Sequence, residues 1–466
     1  MLVQWDLVLR FLQQNSNKRM HYESPVQFVP GIFCGIMSSM SKKVKNRKRK
    51  QKKINVHFNT RLVLICVEIF ALVLIVGMGA LALWKSGSGI DGKQEQQVAV
   101  VEEIQIDREA LLEKKEEEVP EDTSRYGAEL ADAECCKQNR IYAKETASEE
   151  EIVLAFAGDI SFAEGYANMN TFAQRGGNIR DCFDEFVWME MQSADIFMLN
   201  NEFTYSNRGT PTPKKQFTFR AKPEMVNCLN EMGVDVVSLA NNHVYDYGEV
   251  SLLDTLSTLE EASVPYVGAG RNLEEAIKPV YFVANDIKIA YVSATQIEQG
   301  DYPDTPGAGE NSPGVFRCWT EERIYDVVRE AQEKADFVIV YIHWGAELSE
   351  TLHWAQTEQA PKLVEAGADL IVGDHPHCLQ EIAYIGDVPV VYSMGNFWFN
   401  SKTQDSGLLR VVVDENGLQS LQFVPAIQSG CKTTIASEGD HARILNYIQS
   451  LSPTITIDNA GYITKR

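Results

Sequence analysis

Two imidazoles with one residue between them, His375 and His377, close the stretch Gly367-Ala-Asp-Leu-Ile-Val-Gly-Asp-His-Pro-His377, and both can converge on one point. Asp369 to Val372 is an apolar run of buried-strand type, stopped by Gly373, and Pro376 stiffens the link between the two histidines. One His-x-His alone is better explained as a loop with two solvated histidines. Repetition argues against that. Four other apolar runs end in a residue able to bind metal or move protons: residues 152–159 end in Asp159, 195–202 in Glu202, 234–243 in Asn242 and His243, and 336–343 in His343, with Glu347 four residues beyond. Of the eight histidines, four stand at these ends, which a packing explanation would have to treat as accident.

Carboxylate, imidazole and amide oxygen together form a borderline donor set that suits Mn, Fe or Zn better than Ca or Mg. Asp159, Glu202, Asn242, His343, His375 and His377 are more donors than one tetrahedral zinc requires, so two divalent ions are expected. A pair about 3.5–4 Å apart lowers the pKa of a bridging water and clamps the attacking and leaving oxygens of a phosphoryl group. His243, beside Asn242, is then free to protonate the leaving group, with Asp246 three residues on to orient it. Arg220 and Arg271 are candidates for gripping an anionic substrate, with surface ion pairs as the plain alternative. Glu347 is a candidate ligand or supporting group, or an ordinary solvated glutamate.

Such residues need a sheet to gather them. Ligands delivered from just past a strand's carboxyl end sit where open α/β folds keep their sites. Helical stretches are expected over 181–192, 223–232, 249–262 and 321–334, alternating with the strands already named and with 287–293 and 388–393, which implies an α/β fold. Residues 408–413 and 418–424 read as a β-hairpin around Asp414-Glu-Asn-Gly417.

The chain of 466 residues, 44% hydrophobic, can bury one large domain with appendages. Its formal charge of −22 is uneven: Lys42 to Lys53 is almost wholly basic, and residues 102–151 are crowded with Glu and Asp. Between them Leu62 to Trp84 is apolar except for Glu68, long enough for a bilayer that takes about 20 residues. The preceding basic cluster is expected to stay in the cytoplasm, which places everything after Trp84 outside the cell. A cleaved signal peptide is the alternative, given Ala80-Leu-Ala82, but the run exceeds the usual signal core. The expected divisions are a cytoplasmic segment 1–61, an anchor 62–84, an acidic extracellular linker 85–150, a folded domain 151–430 and a C-terminal extension 431–466. Residues 1–39 are expected to precede the true start, since Met40 opens the basic region. Nine cysteines show no Cys-x-x-Cys pair, and Cys135-Cys136 is a candidate intermolecular site. Outside the juxtamembrane cluster there is no basic patch, so no nucleic-acid partner is expected.

The set Gly158-Asp159, Asn201-Glu202, Ala240-Asn-Asn-His243 with Asp246-Tyr-Gly248, Gly268-Ala-Gly-Arg-Asn272, His343-Trp-Gly-x-Glu347, Gly373-x-His-Pro-His377 and Tyr392-Ser-Met-Gly-Asn-Phe397 resembles the poly-γ-glutamate capsule-synthesis family of CapA/PgsA type, over roughly residues 151–425. That family resembles the calcineurin-like metallophosphoesterases, so the resemblance implies a four-layer sandwich of two mixed sheets faced by helices. It further implies that Asp159 binds one metal with His377, that Glu202 bridges, that Asn242, His343 and His375 serve the second metal, and that His243 is the acid. Asn201 and Asn396 lie in the shared motifs as candidate substrate contacts. Implied partners are the bilayer, other membrane subunits of a capsule-synthesis complex, and an anionic polymer or phosphorylated substrate. The pattern departs at two places: phosphoesterases of this fold usually carry a histidine where Ser161 stands, and an aspartate where Glu202 stands.

Overall fold

The computed structural model describes residues 124–297, 305–319 and 322–466. The basic segment, the apolar stretch 62–84 and the acidic residues up to 123 lie outside the described residues, so the expected anchor is neither seen nor denied. Among the described residues no helix is long and apolar enough to cross a membrane.

Two mixed sheets carry the architecture. One runs, in spatial order, Lys432–Ile435, Gly417–Ser429, Gln404–Asp414, Ile152–Ile160, Ile196–Asn201, Val236–Ser238 and Tyr266–Val267, with Asn396–Trp398 also paired to Ile152–Ile160. The other runs Ile141–Ala143, Val280–Ala284, Ile287–Thr295, Phe337–His343, Leu370–Asp374, Val388–Val391 and Ile382–Ile385. In the second sheet the parallel strands occupy the middle with antiparallel pairs on either side, whereas in the first the strands from Ile152–Ile160 to Tyr266–Val267 run parallel out to that edge and the antiparallel pairs lie on the other side.

Alternation along these strands shows how the layers stack, because successive side chains leave opposite faces. Phe337, Ile339 and Tyr341 share a core with Ile152, Leu154 and Phe156, so the sheets pack face to face. The intervening Val338, Val340 and Ile342 pack outward with Val328 of helix Arg323–Gln332 and Leu363 of helix Trp354–Ala366. On the opposite side Ala155 and Ala157 meet Val187, Leu229, Leu252 and Leu256, carried by helices Glu185–Gln192, Asn227–Met232 and Glu249–Glu261. Helix, sheet, sheet and helix make four layers, as expected. The near-continuous apolar runs have the same cause, since strands covered on both faces have no solvent side.

Both expected limits of the folded domain need correction. Residues 124–143 belong to the fold and not to a linker: Gly127–Ala131 and Ala133–Asn139 are helical, and Ile141–Ala143 pairs with Val280–Ala284. The attachment is polar, with Asp336 accepting from Arg125 and from the Tyr126 hydroxyl, each at 2.7 Å, which is why an acidic stretch poor in core residues can still dock. At the other end, 431–466 is no appendage. Lys432–Ile435 extends a sheet, and helix Glu438–Leu451 sends Ile444, Leu445 and Ile448 into the core between the sheets.

The expected hairpin is present and longer, with Gly417 at φ +94° closing its turn. Helix Trp354–Ala366 lies outside the expected set and runs through Pro361; burial of Ala360 and Leu363 outweighs the lost backbone bond. The described cysteines Cys135, Cys136, Cys182, Cys228, Cys378 and Cys431 form no disulfide.

Gly158 marks where chain packing tolerates nothing larger. A Cβ there would stand 1.8 Å from the Gly395 carbonyl oxygen, which itself accepts from Asp159 N at 3.0 Å. Gly158→Ala is therefore expected to destabilise by about 3 kcal/mol or more. Denaturant unfolding checks this, and an unchanged midpoint contradicts it.

Candidate metal centre

The ladders bring the polar strand ends to one rim. Asp159 pairs with Asn200 and Asn200 with Ser238, so Asn241, Asn242 and His243 emerge beside them. In the facing sheet His343 pairs with Asp374, and His375 and His377 come directly after. Tyr341 donates its hydroxyl hydrogen across the sheets to the Ala157 carbonyl at 2.8 Å. Asp159, Glu202, His343 and Asp374 are all fully buried. His375 and His377 hold φ of +93° and +54°, the left-handed region that histidine seldom adopts, and strain of this kind collects at functional sites.

The donors converge in three overlapping groups: Asp159, Glu202 and His377; Glu202, His343 and His375; and Asp159, His343 and Asp374, with the donor atoms of each group within 4.8 Å of one another. His343 Nδ1 lies 2.8 Å from Asp374 Oδ1, which assigns its hydrogen there and turns the Nε2 lone pair inward. Around that Nε2 stand Asn242 Oδ1 at 2.9 Å, His375 Nδ1 at 3.0 Å and Glu202 Oε1 at 3.8 Å. Donors bonded at about 2.1 Å to one ion lie about 3.0–3.4 Å apart, and these separations bracket that edge. Neither oxygen of Glu202 has a hydrogen-bond partner. His377 Nδ1 lies 2.9 Å from both Asp159 Oδ2 and Asn396 Oδ1. Lone pairs without donors, packed this closely, fit a cation: these buried acidic and histidine groups are positioned for a metal.

His243 stands at the margin of the donor groups. Its Nδ1 is 2.6 Å from Asp246 Oδ2, and its Nε2 faces Glu202 Oε1 at 3.9 Å. Asp246 is itself fixed by Phe219 N at 2.7 Å and by Lys215 Nζ at 2.5 Å, and the same ammonium donates to the Asn242 carbonyl. Phe219 stacks on His243 with ring centres 4.2 Å apart, and Phe399 packs against both Phe219 and His377. This aromatic wall joins the dyad to the first donor group.

Sequence reasoning named the seven groups Asp159, Glu202, Asn242, His243, His343, His375 and His377, and all seven meet here. Other candidates do not serve as expected. Arg271 forms a two-pronged pair with Glu260 at 2.7 and 2.8 Å, the surface ion pair that was its alternative. Asn201 donates to the Phe203 carbonyl, and Asn396 orients His377, so both shape the site from behind. Arg220 lies over Tyr247, 4.2 Å from its ring centre. Glu347 is exposed, and its charge reaches both Glu202 and His377, which puts it at the mouth. Ser161 spends its hydroxyl oxygen on Ala163 N at 3.3 Å. Four residues were missed: Asn200, which donates to Asp159 Oδ1 at 2.8 Å, Asn241, Asp374 and Lys215. Of these only Asp374, last in its apolar run, left a readable signal.

Burial, and then the charge of Asp159, push Glu202 and Asp374 well above the usual carboxylate range. Burial pushes Asp159 up too, but the hydrogen bond and charge of His377 prevail and its pKa is lowered. Burial pulls His343 down to about 3, and places His375 well below and His243 below the ordinary imidazole value. His377 is raised, because Asp159 outweighs burial. Below pH about 6.5 the unfolded chain holds protons on His243, His343 and His375 that the fold refuses, so these three make stability rise with pH. Glu202 and Asp374 work in the opposite sense above pH about 4, since the fold keeps protons that the unfolded chain has released. Above pH about 6.5 the first contribution is exhausted, and Glu202, Asp374 and His377 all lose stability as pH rises through their folded values, by about 1.4 kcal/mol per pH unit for each group still titrating. Protein stripped by a chelator is therefore expected to melt at falling temperature from pH about 6.5 to about 8.5, and divalent metal to remove the slope. A flat or rising Tm in the stripped protein over that range contradicts this.

Two mixed sheets faced by helices, with carboxylates, imidazoles and an amide gathered at the strand ends, make an α/β fold whose buried acidic and histidine groups are positioned for a metal. Residues 153–401, over half the chain, match the family described as bacterial capsule synthesis protein PGA_cap, and the chain belongs to that family. It is 31% identical over 286 residues to the PGA biosynthesis protein CapA of Bacillus subtilis, covering 60% of this chain and 72% of that protein. It is 34% identical over 237 residues to the capsule biosynthesis protein CapA of Bacillus anthracis, covering 49% and 57%. Among solved structures the calcineurin-like phosphoesterase YfkN of Bacillus subtilis aligns over 64% of this chain and 99% of its own at 17% identity and a TM-score of 0.33, which adds nothing to the layers described above.

Proposed function

We propose that this chain is a membrane-anchored accessory protein of poly-γ-glutamate capsule synthesis, displayed outside the cell, whose domain hydrolyses the polymer or a phosphorylated intermediate at a site holding two divalent ions, Mn, Fe or Zn. Family membership supports the capsule half, and the apolar run 62–84 behind a basic cluster supports the anchor. Glu202 carries the hydrolase half: a wholly buried carboxylate with both oxygens free of hydrogen bonds, shared between two donor groups. In this reading Asp159 and His377 hold one ion, Asn242, His343 and His375 the other, and Glu202 lies between.

Bound there by Asp159, His377, Asn242, His343, His375 and Glu202, two divalent ions would supply activation of the attacking water and stabilisation of charge on the reacting oxygens. The chain does the rest. The doubly protonated ring of His243, which the Asp246 carboxylate favours against burial, would deliver its Nε2 proton to the leaving oxygen, while Asp246 fixes the ring by accepting the Nδ1–H hydrogen bond. Lys215 holds Asp246 and the Asn242 backbone in one grip, so the donor and the dyad keep their spacing. Lys215→Met is expected to lower kcat about tenfold to hundredfold, with KM little changed, since positioning acts on the proton transfer. Equal kcat in the variant contradicts this role.

Ser161 favours a second reading, a non-catalytic polymer-handling or assembly subunit, because its hydroxyl is engaged with backbone where a further donor is usual. A general cell-surface phosphoesterase unconnected with capsule is a third. Deleting the chain from its cell and restoring it with Glu202→Gln separates them. The hydrolase reading predicts no capsule; full rescue favours the assembly subunit, and no capsule defect on deletion favours the general phosphoesterase.

A further inference from the structure

Asp374 has no part in the donor assignment above, yet it is the most conspicuous unused group at the site. Its carboxylate is fully buried, Oδ1 is tied to His343 Nδ1 at 2.8 Å, and Oδ2 has no hydrogen-bond partner. It forms one of the three close donor groups with Asp159 and His343. The backbone leaves it no freedom to turn away: Asp374 pairs with His343 in the ladder, its carbonyl accepts from Trp344 N at 3.2 Å, and a Cβ on the preceding Gly373 would stand 2.3 Å from both Trp344 Nε1 and the Tyr392 carbonyl oxygen. Leaving a carboxylate oxygen buried and unpaired is unfavourable, and a cation beside it removes that penalty.

We propose that Asp374 Oδ2 supplies the protein donor that Ser161 does not, so that Asp374 joins Asp159 in holding the ion on that side. The inference rests on the two-ion reading. It accounts for how that position is held although Ser161 turns its hydroxyl to Ala163 N. It also sets three negative charges, those of Asp159, Glu202 and Asp374, against the four positive charges of two dications.

The test titrates Mn(II) into the full chain stripped by a chelator, read by calorimetry and by the electron paramagnetic resonance of free Mn(II). Wild type is expected to take two ions. Asp374→Asn, which keeps an oxygen for His343, is expected to weaken one position by about tenfold to hundredfold. His375→Ala weakens the other, so in the double variant neither position keeps wild-type affinity. If Asp374 acts only by orienting His343, both substitutions strike the same position and the double variant still binds one ion at wild-type affinity; that result overturns the proposal. Two ions at unchanged affinity in Asp374→Asn overturn it as well while leaving the two-ion reading intact, whereas no binding by wild type overturns both.

Discussion

Glu202→Gln is expected to empty the centre: both ions should leave, and hydrolysis should fall to the level of an uncatalysed blank. Glu202 is the member common to the groups around Asp159 and around His343, so one substitution removes a ligand from each. An amide offers one neutral oxygen where the carboxylate offers two charged ones, and it cannot bridge with a full charge. The fold should survive, because glutamine has the shape of the protonated glutamate that burial already favours. Stripped Glu202→Gln should also show a shallower loss of Tm above pH about 6.5 than stripped wild type, as one of the three titrating groups is gone. Metal content by mass spectrometry and Tm against pH check both halves. Retention of two ions at wild-type affinity contradicts the bridging role.

His243→Ala should separate chemistry from metal binding. His243 lies outside all three donor groups, so ion content is expected to match wild type, while kcat for an alkyl phosphoester falls by about 10²–10⁴. A substrate that leaves as a stable phenolate needs no proton, so its kcat should fall far less. That contrast identifies a proton donor and is not mimicked by a general loosening of the site. Equal losses on both substrates contradict the acid role, and loss of metal in the variant would make His243 a ligand instead.

Much of this centre was legible because its residues end buried strands. An apolar run that stops in Asp159, Glu202 or His343 combines a two-sided core strand with a group that has no business in a core, and the ladder then fixes where that group goes. Asp374 obeys the same rule and was overlooked, since an aspartate next to glycine and two histidines reads as part of a turn; it is the final strand residue, wholly buried. Lys215 offered no such signal. It lies between Ser206 and Phe219 in a stretch without periodicity, and its hold on Asn242 and Asp246 exists only in three dimensions. Arg271 erred the other way: an arginine in a shared motif suggested a substrate, while Glu260, eleven residues away, had already claimed its guanidinium. At the ends of the domain, charge hid structure. The acidic stretch before Glu151 docks through Asp336, Glu129 and Lys288, whereas helix Glu438–Leu451 carried Ile444, Leu445 and Ile448 at helical spacing that could have been read.

The most direct test is diffraction from a crystal of the protein grown with Mn(II), with data collected at the manganese absorption edge. Two anomalous peaks about 3.5–4 Å apart on either side of the Glu202 carboxylate are the predicted result. A map in which His243, His343, His375 and His377 surround Glu202 with no anomalous peak among them would contradict the account.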